Sequence, residues 1–174
     1  MKDRKLLNIE LGRISAAEYK ELPPSGLVVV LDNIRSAHNV GSAFRTADSF
    51  GIDKVFLCGI SAVPPSAEIH KSALGAEDSV PWEHVGDTLE AVRRLQADGY
   101  TVVAVEQTVH SEKLGVFRRE PGCKYALIFG NEVSGVRQDV VDASDLSLEI
   151  PQYGTKHSLN VSVSVGVVLW EMVR

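Results

Sequence analysis

Three short segments of this 174-residue chain place polar or charged side chains at the edge of apolar runs, where binding chemistry can be built. The first is LDNIRSAHNVGSAFRTADSFG at 31–51, with Asn39, Gly41 and Arg45 in an N-x-G-x-x-x-R spacing. At a strand-to-helix junction, free backbone N–H groups attract an anion, and an arginine one to two turns further on suits a phosphate. The second is ALIFGNEVSGV at 126–136. Here Gly130 lets the backbone approach a ligand closely, while Asn131 and Glu132 present polar groups at the end of a buried strand. The third is IPQYGTKHSLNVSVSVGVVLWE at 150–171, which sets Gly154, Ser158 and Asn160 just before a long apolar run.

Each segment also has a plainer reading on its residues alone. Asn39 can cap a helix while Arg45 pairs with Asp48 or Asp32 on the surface. Glu132 can be a solvated acid in a turn, Ile150 and Leu159 core residues, and His157 a surface histidine. Ser158 beside His157 invites a hydrolase reading, but adjacent residues seldom meet side chain to side chain and no G-x-S-x-G elbow surrounds the serine.

The elements that must position these residues follow from patterning. Ser15 and Glu18 form an S-x-x-E capping box that opens a short helix ending before Pro23 and Pro24. LVVVL at 27–31 reads as a strand buried on both faces. Val40, Ala43, Phe44, Ala47 and Phe50 recur at helical spacing, with Gly51 as the stop. Then come a strand at 54–58, helices at 67–74 and 88–97, strands at 101–105 and 125–129, a short helix at 137–141 and a strand at 146–150. This alternation predicts an α/β fold with a parallel sheet flanked by helices. At 161–167 valines alternate with Ser162, Ser164 and Gly166, and on pattern and propensity that segment reads as a strand.

An apolar fraction of 44% and only seven prolines argue against a disordered chain, and 174 residues suffice for one domain spanning 1–174 without disulfides or metal. Charges interrupt every apolar stretch of MKDRKLLNIELGR, unlike a signal peptide, and Val161 to Trp170 is too short to span a bilayer. A cytoplasmic protein with no membrane partner is expected. Cys58 and Cys123, without C-x-x-C spacing, read as buried free thiols. The net charge of −5 neither requires nor excludes a nucleic-acid partner. Local basic clusters, namely Lys2, Arg4, Lys5 and Arg13, then Arg93 with Arg94 and Arg118 with Arg119, are either RNA contacts or solvated faces.

The order and wording of the three segments, together with KSALGAEDSVPW at 71–82, resemble the SPOUT superfamily of methyltransferases, in particular the SpoU or TrmH type that methylates ribose 2′-hydroxyls in RNA. The likeness runs from about Leu27 onward. It implies that the last segment is a helix rather than a strand, following a loop threaded through another loop in a deep trefoil knot at 126–174, with 1–25 a short helical appendage. It implies S-adenosylmethionine as cofactor, no metal, tRNA or rRNA as substrate, and a homodimer. By resemblance, Arg45 lies at the target ribose hydroxyl with Asn39 supporting it, Glu132, Ser158 and Asn160 complete the catalytic network, and Glu106, Gln107, Gly130, Ile150 and Leu159 hold the cofactor. Arg45 acts either as proton acceptor or, since arginine normally stays protonated, as a cation that fixes phosphate and orients the hydroxyl. With no long leading segment expected, the core and its short helix would find the RNA.

Two other readings remain open on the sequence. One is an RNA-binding module with this fold and no turnover, which the acidic balance favours. The other is an unrelated nucleotide-binding α/β enzyme, weakened by the lack of G-x-G-x-x-G and G-x-x-x-x-G-K-[ST] loops.

Overall fold

In the computed structural model, which describes residues 3–174, all strands run parallel in one sheet. The strands are β1 (Leu27–Asp32), β2 (Lys54–Cys58), β3 (Trp82–Val85), β4 (Tyr100–Val105), β5 (Glu112–Lys113), β6 (Lys124–Phe129) and β7 (Leu146–Glu149). Their spatial order is β3-β2-β1-β6-β4-β7-β5. The middle strands β1 and β6 pair in register, with Val29 opposite Leu127 and Leu31 opposite Phe129. Such strands are covered on both faces, which is why LVVVL and YALIF carry no polar alternation.

Helices cover the two faces: α1 (Ala16–Tyr19), α2 (Ala37–Ser49), α3 (Ala67–Ala73), α4 (Ala76–Ser79), α5 (Thr88–Ala97), α6 (Gln138–Ala143) and α7 (Val161–Val173). A single turn of 3-10 helix lies at Asn8–Leu11. One core cluster joins Leu27, Val29 and Leu31 to Phe44 of α2 and to Val165, Val168 and Leu169 of α7. The other joins Val28 and Val30 to Val92 and Leu95 of α5 and Val140 of α6. The period-2 alternation along β1 thus sorts its valines and leucines between two layers.

Most expected elements are present, including the capping box, in which the Ser15 hydroxyl accepts from Glu18 N. The leading helix is tied to the core: Tyr19 is buried, and its hydroxyl donates to the Ile52 carbonyl at 2.9 Å. The strand-like pattern after Asn160 is overturned, because α7 is a helix of 13 residues. Val161, Val165, Val168, Leu169 and Met172 are its buried positions, with burial returning every three to four residues, so the valines pack at helical period against the core. Ser162, Ser164 and Gly166, which made the pattern look like a strand, keep parts of the helix surface small. A Cβ on Gly166 would lie 3.9 Å from Thr46 of α2. Helix α4 and strands β3 and β5 have no counterpart among the expected elements.

Among the described residues, no helix is long and apolar enough to cross a membrane. Cys58 is buried, and burial pushes its thiol up to about 12. Cys123 is only half-buried, which corrects the expectation of two buried thiols.

Candidate functional site

The carboxyl ends of β4, β6 and β7 open onto a cavity of about 990 Å³. The chain runs outward through β1, β2 and β3, then returns to lay β4 and β6 on the other side of β1. Where strand order reverses, the loops leaving neighbouring strands diverge and leave a crevice. The walls are the β4 exit (Val105, Glu106, Gln107), the 130–136 loop after β6, Ile150 after β7, and His157, Ser158 and Leu159.

Seven of the residues singled out from sequence line this cavity: Glu106, Gln107, Gly130, Glu132, Ile150, Ser158 and Leu159. Asn39, Arg45 and Asn160 are not on its walls. Asn39 and Asn160 are nevertheless wired to it. The Asn39 amide donates to Glu132 Oε1 at 3.0 Å, and the Asn160 amide donates to Asn39 Oδ1 at 3.3 Å. A carboxylate accepts only, so Glu132 fixes the NH2 group of Asn39 toward itself and leaves the Asn39 oxygen to Asn160. The Asn160 oxygen in turn caps α7, accepting from Ser162 N at 2.9 Å and from the Ser162 hydroxyl at 2.6 Å. One residue from each of the three sequence segments therefore stands in a single line of hydrogen bonds.

That line changes the plainer readings. The cap of α2 is Ser36, whose hydroxyl accepts from Asn39 N at 3.3 Å, so Asn39 is not the cap. Glu132 is exposed, yet it is more than a solvated acid. Burial raises its pKa, but the Asn39 amide and backbone N–H groups of Glu132, Ser36 and Arg35 outweigh that and hold it below the ordinary carboxylate range. Arg45 is exposed on α2, and among the described residues its guanidinium has no hydrogen-bond or ion-pair partner. Asp32 is buried and committed elsewhere, accepting from Thr88, the Asn33 amide and Arg137 N, so it is not the surface partner of Arg45. Ser158 is exposed at the rim.

The cavity walls are held by backbone contacts. The Gln107 amide donates to the His157 carbonyl at 2.8 Å, tying the β4 exit to the 151–160 segment. Glu106 accepts from Gln107 N at 2.9 Å and from Val136 N at 3.0 Å. Asn131 and Gly135 exchange N–H to carbonyl bonds at 3.0 and 2.8 Å, closing the 131–135 turn. Gly130 sits against that turn: a Cβ there would lie 2.0 Å from Val136 N. The holding roles of Asp32, Asn33 and Gly135 escaped the sequence reading. Its only signal for the first pair was an Asp-Asn step directly after a fully apolar strand.

Several basic side chains are already paired. Arg4 bonds Glu10, Arg94 bonds Glu83, Arg118 lies 3.6 Å from Glu171, and Arg119 sits over the Tyr125 ring. Lys2 lies outside the described residues. Among the described residues there is no cluster of three or more His, Cys, Asp or Glu able to hold a metal ion.

The sequence profile of the SpoU rRNA Methylase family matches residues 26–170, a span that contains β1, the cavity and most of α7. The chain belongs to this family. Among its curated SpoU relatives, the 23S rRNA (guanosine-2′-O-)-methyltransferase RlmB of Nitrosomonas europaea is 36% identical over 153 residues, covering 88% of this chain and 58% of that protein. The chain thus spans about three-fifths of the length of the curated relatives it matches. Solved SpoU-type structures share the fold. An AdoMet-bound rRNA methyltransferase from Sinorhizobium meliloti is 26% identical with a TM-score of 0.78, over 86% of this chain and 59% of that one. A TrmH/SpoU tRNA modifying enzyme from A. aeolicus is 25% identical with a TM-score of 0.78, over 90% of this chain and 80% of that one.

Proposed function

We propose that this chain is an S-adenosylmethionine-dependent methyltransferase acting on a ribose 2′-hydroxyl of rRNA or tRNA. The observation that carries this reading is the hydrogen-bond line Asn160–Asn39–Glu132 beside the cavity, which joins three segments of a SpoU family member at one place. The cavity fits the cofactor: Gly130 lines it with backbone, Ile150 and Leu159 offer apolar surface to a flat base, and Glu132 offers negative charge to a sulfonium. When bound, that group supplies an activated methyl, so the protein's task is to place reactants in line.

In this reading the chain's own residues divide the task. Gly130, Ile150 and Leu159 hold the adenosine part, while Glu106 and Gln107 shape the wall through their backbone contacts. Arg45, without a side-chain partner among the described residues, receives the RNA at α2 and either takes the hydroxyl proton or fixes the adjacent phosphate. Asn39 and Asn160 keep Glu132 in one orientation, and Ser158 stands at the cavity mouth. The relatives named as 23S rRNA guanosine-2′-O-methyltransferases make 23S rRNA the first substrate to test, with tRNA the second.

The finer architecture belongs to the same proposal. The 151–160 segment threads beside the β4 exit as the knot crossing, a reading supported by the Gln107–His157 contact. Residues 1–174 act as a single cytoplasmic domain. The protein works as a homodimer through the outer face of α7, where Val163, Val167, Trp170 and Val173 are 50%, 38%, 59% and 40% exposed. An apolar face of this kind asks for cover.

The test is incubation of the protein with methyl-labelled S-adenosylmethionine and unmodified total RNA, followed by nucleoside analysis. Label in a 2′-O-methylnucleoside from wild type, with none from Arg45→Ala at unchanged cofactor affinity, supports the reading. Cofactor binding with no label in any RNA fraction supports the binding module. Calorimetric binding of NAD or ATP in place of S-adenosylmethionine supports the unrelated nucleotide enzyme.

A further inference from the structure

Two carboxylates from different strand ends grip neighbouring backbone N–H groups. Glu106, at the exit of β4, accepts from Val136 N at 3.0 Å. Asp32, the last residue of β1, accepts from Arg137 N at 3.1 Å. Between them the chain leaves the 130–135 turn, which forms one wall of the cavity, and enters α6. We infer that Asp32 and Glu106 are positioning residues that clamp Val136 and Arg137 and thereby hold the Gly130–Gly135 wall in its ligand-binding shape. This rests on the cavity being the cofactor site proposed above.

The clamp is built into its surroundings. Asp32 is 1% exposed, and every group that bonds it is a donor: the Thr88 hydroxyl, the Asn33 amide and Arg137 N. A carboxylate buried among donors exchanges its water for charge-assisted hydrogen bonds, roughly twice as strong as neutral ones. Gly135 has φ +68°, and a Cβ there would lie 2.2 Å from Glu106 Oε2, so only glycine admits the carboxylate this close. A third contact acts in the same direction. The Asn131 amide donates to the Asn33 carbonyl at 2.7 Å, and Asn33 itself holds φ +57°. The 130–137 segment is thus fastened to the tips of β1 and β4, and its position follows theirs.

Glu106→Gln is the cleanest probe, because both partners of Glu106 are backbone N–H groups that cannot turn into acceptors. One of them must face the new amide NH2 and lose its bond. Amide hydrogen exchange is followed by NMR on the cofactor-free full chain, and S-adenosylmethionine affinity by calorimetry. Expected in Glu106→Gln are exchange about tenfold faster at Val136 or Gln107 and an affinity about tenfold weaker. Asp53→Asn is the control: Asp53 holds Ser25 N and Gly26 N at 2.7 and 2.9 Å, away from the cavity, so it lowers stability without moving either readout. Unchanged exchange at Val136 and Gln107 in Glu106→Gln overturns the clamp whatever the protein binds. Faster exchange with unchanged affinity overturns its role in shaping the cavity. A wild type that ignores S-adenosylmethionine sinks the proposed function and leaves the exchange test standing.

Discussion

Gly130→Ala adds one methyl group at the place where β6 passes into the cavity wall. Gly130 has no positive φ, so alanine meets no backbone penalty there and the effect is steric alone. The new carbon would lie 2.0 Å from Val136 N, 2.1 Å from Gly135 C and 2.5 Å from Gly135 O. All three are backbone atoms, so no side chain can swing aside, and the turn must retreat by roughly 1 Å or more to reach ordinary contact. Overpacking of this kind costs about 1–3 kcal/mol. At about 2–4 °C per kcal/mol for a chain of this size, the melting temperature should fall by roughly 2–12 °C. Under the proposed function the larger effect falls on methyl transfer, because a misplacement of about 1 Å can cost about 100-fold in rate. Differential scanning calorimetry and methyl transfer to unmodified total RNA measure the two. Gly86→Ala, where a Cβ meets nothing within 4 Å, provides the comparison and should change neither. A Gly130→Ala protein with wild-type melting temperature and wild-type kcat/KM would refute the reasoning that this turn is pinned against β6 and shapes the site.

Three further outcomes are expected. Glu132 is held below the ordinary carboxylate value of 4.5, so its ionised form stabilises the fold above that value and the contribution disappears as pH falls through the lower folded value; wild type should melt above Glu132→Gln at neutral pH, with the gap closing in acid, and a gap independent of pH would count against the Asn39–Glu132 bond. Cys58 is buried with its thiol pushed up to about 12, whereas Cys123 is partly open, so a native thiol titration should find one reactive cysteine and a denatured one both. Trp170→Glu, on the exposed face of α7, should convert a dimer to monomer in sedimentation velocity while leaving the circular dichroism spectrum intact, and a monomeric wild type would remove the proposed interface.

The apolar strands, the helical spacing from Val40 to Phe50 and the capping box at Ser15 were legible in the sequence because each depends on local periodicity. So were the segments that build the site, since glycine and polar residues directly after an apolar run mark a strand end. The residues at 161–167 show the limit. Alternating valines have the period of a strand, and only packing of Val161, Val165, Val168 and Leu169 onto the core, with Asn160 as cap, makes them a helix. Family resemblance pointed to that helix; propensity did not. The pairings Asn39–Glu132 and Asn160–Asn39 join residues 93 and 121 positions apart, and the grip of Asp32 on Arg137 spans 105. No spacing rule reaches so far. The sequence by itself determined which segments end in polar loops, because burial and chain reversal are written locally. Which of those loops share a cavity, and which carboxylates hold backbone N–H groups far away in sequence, was decided only by strand order in the sheet, since that order brings distant strand ends side by side.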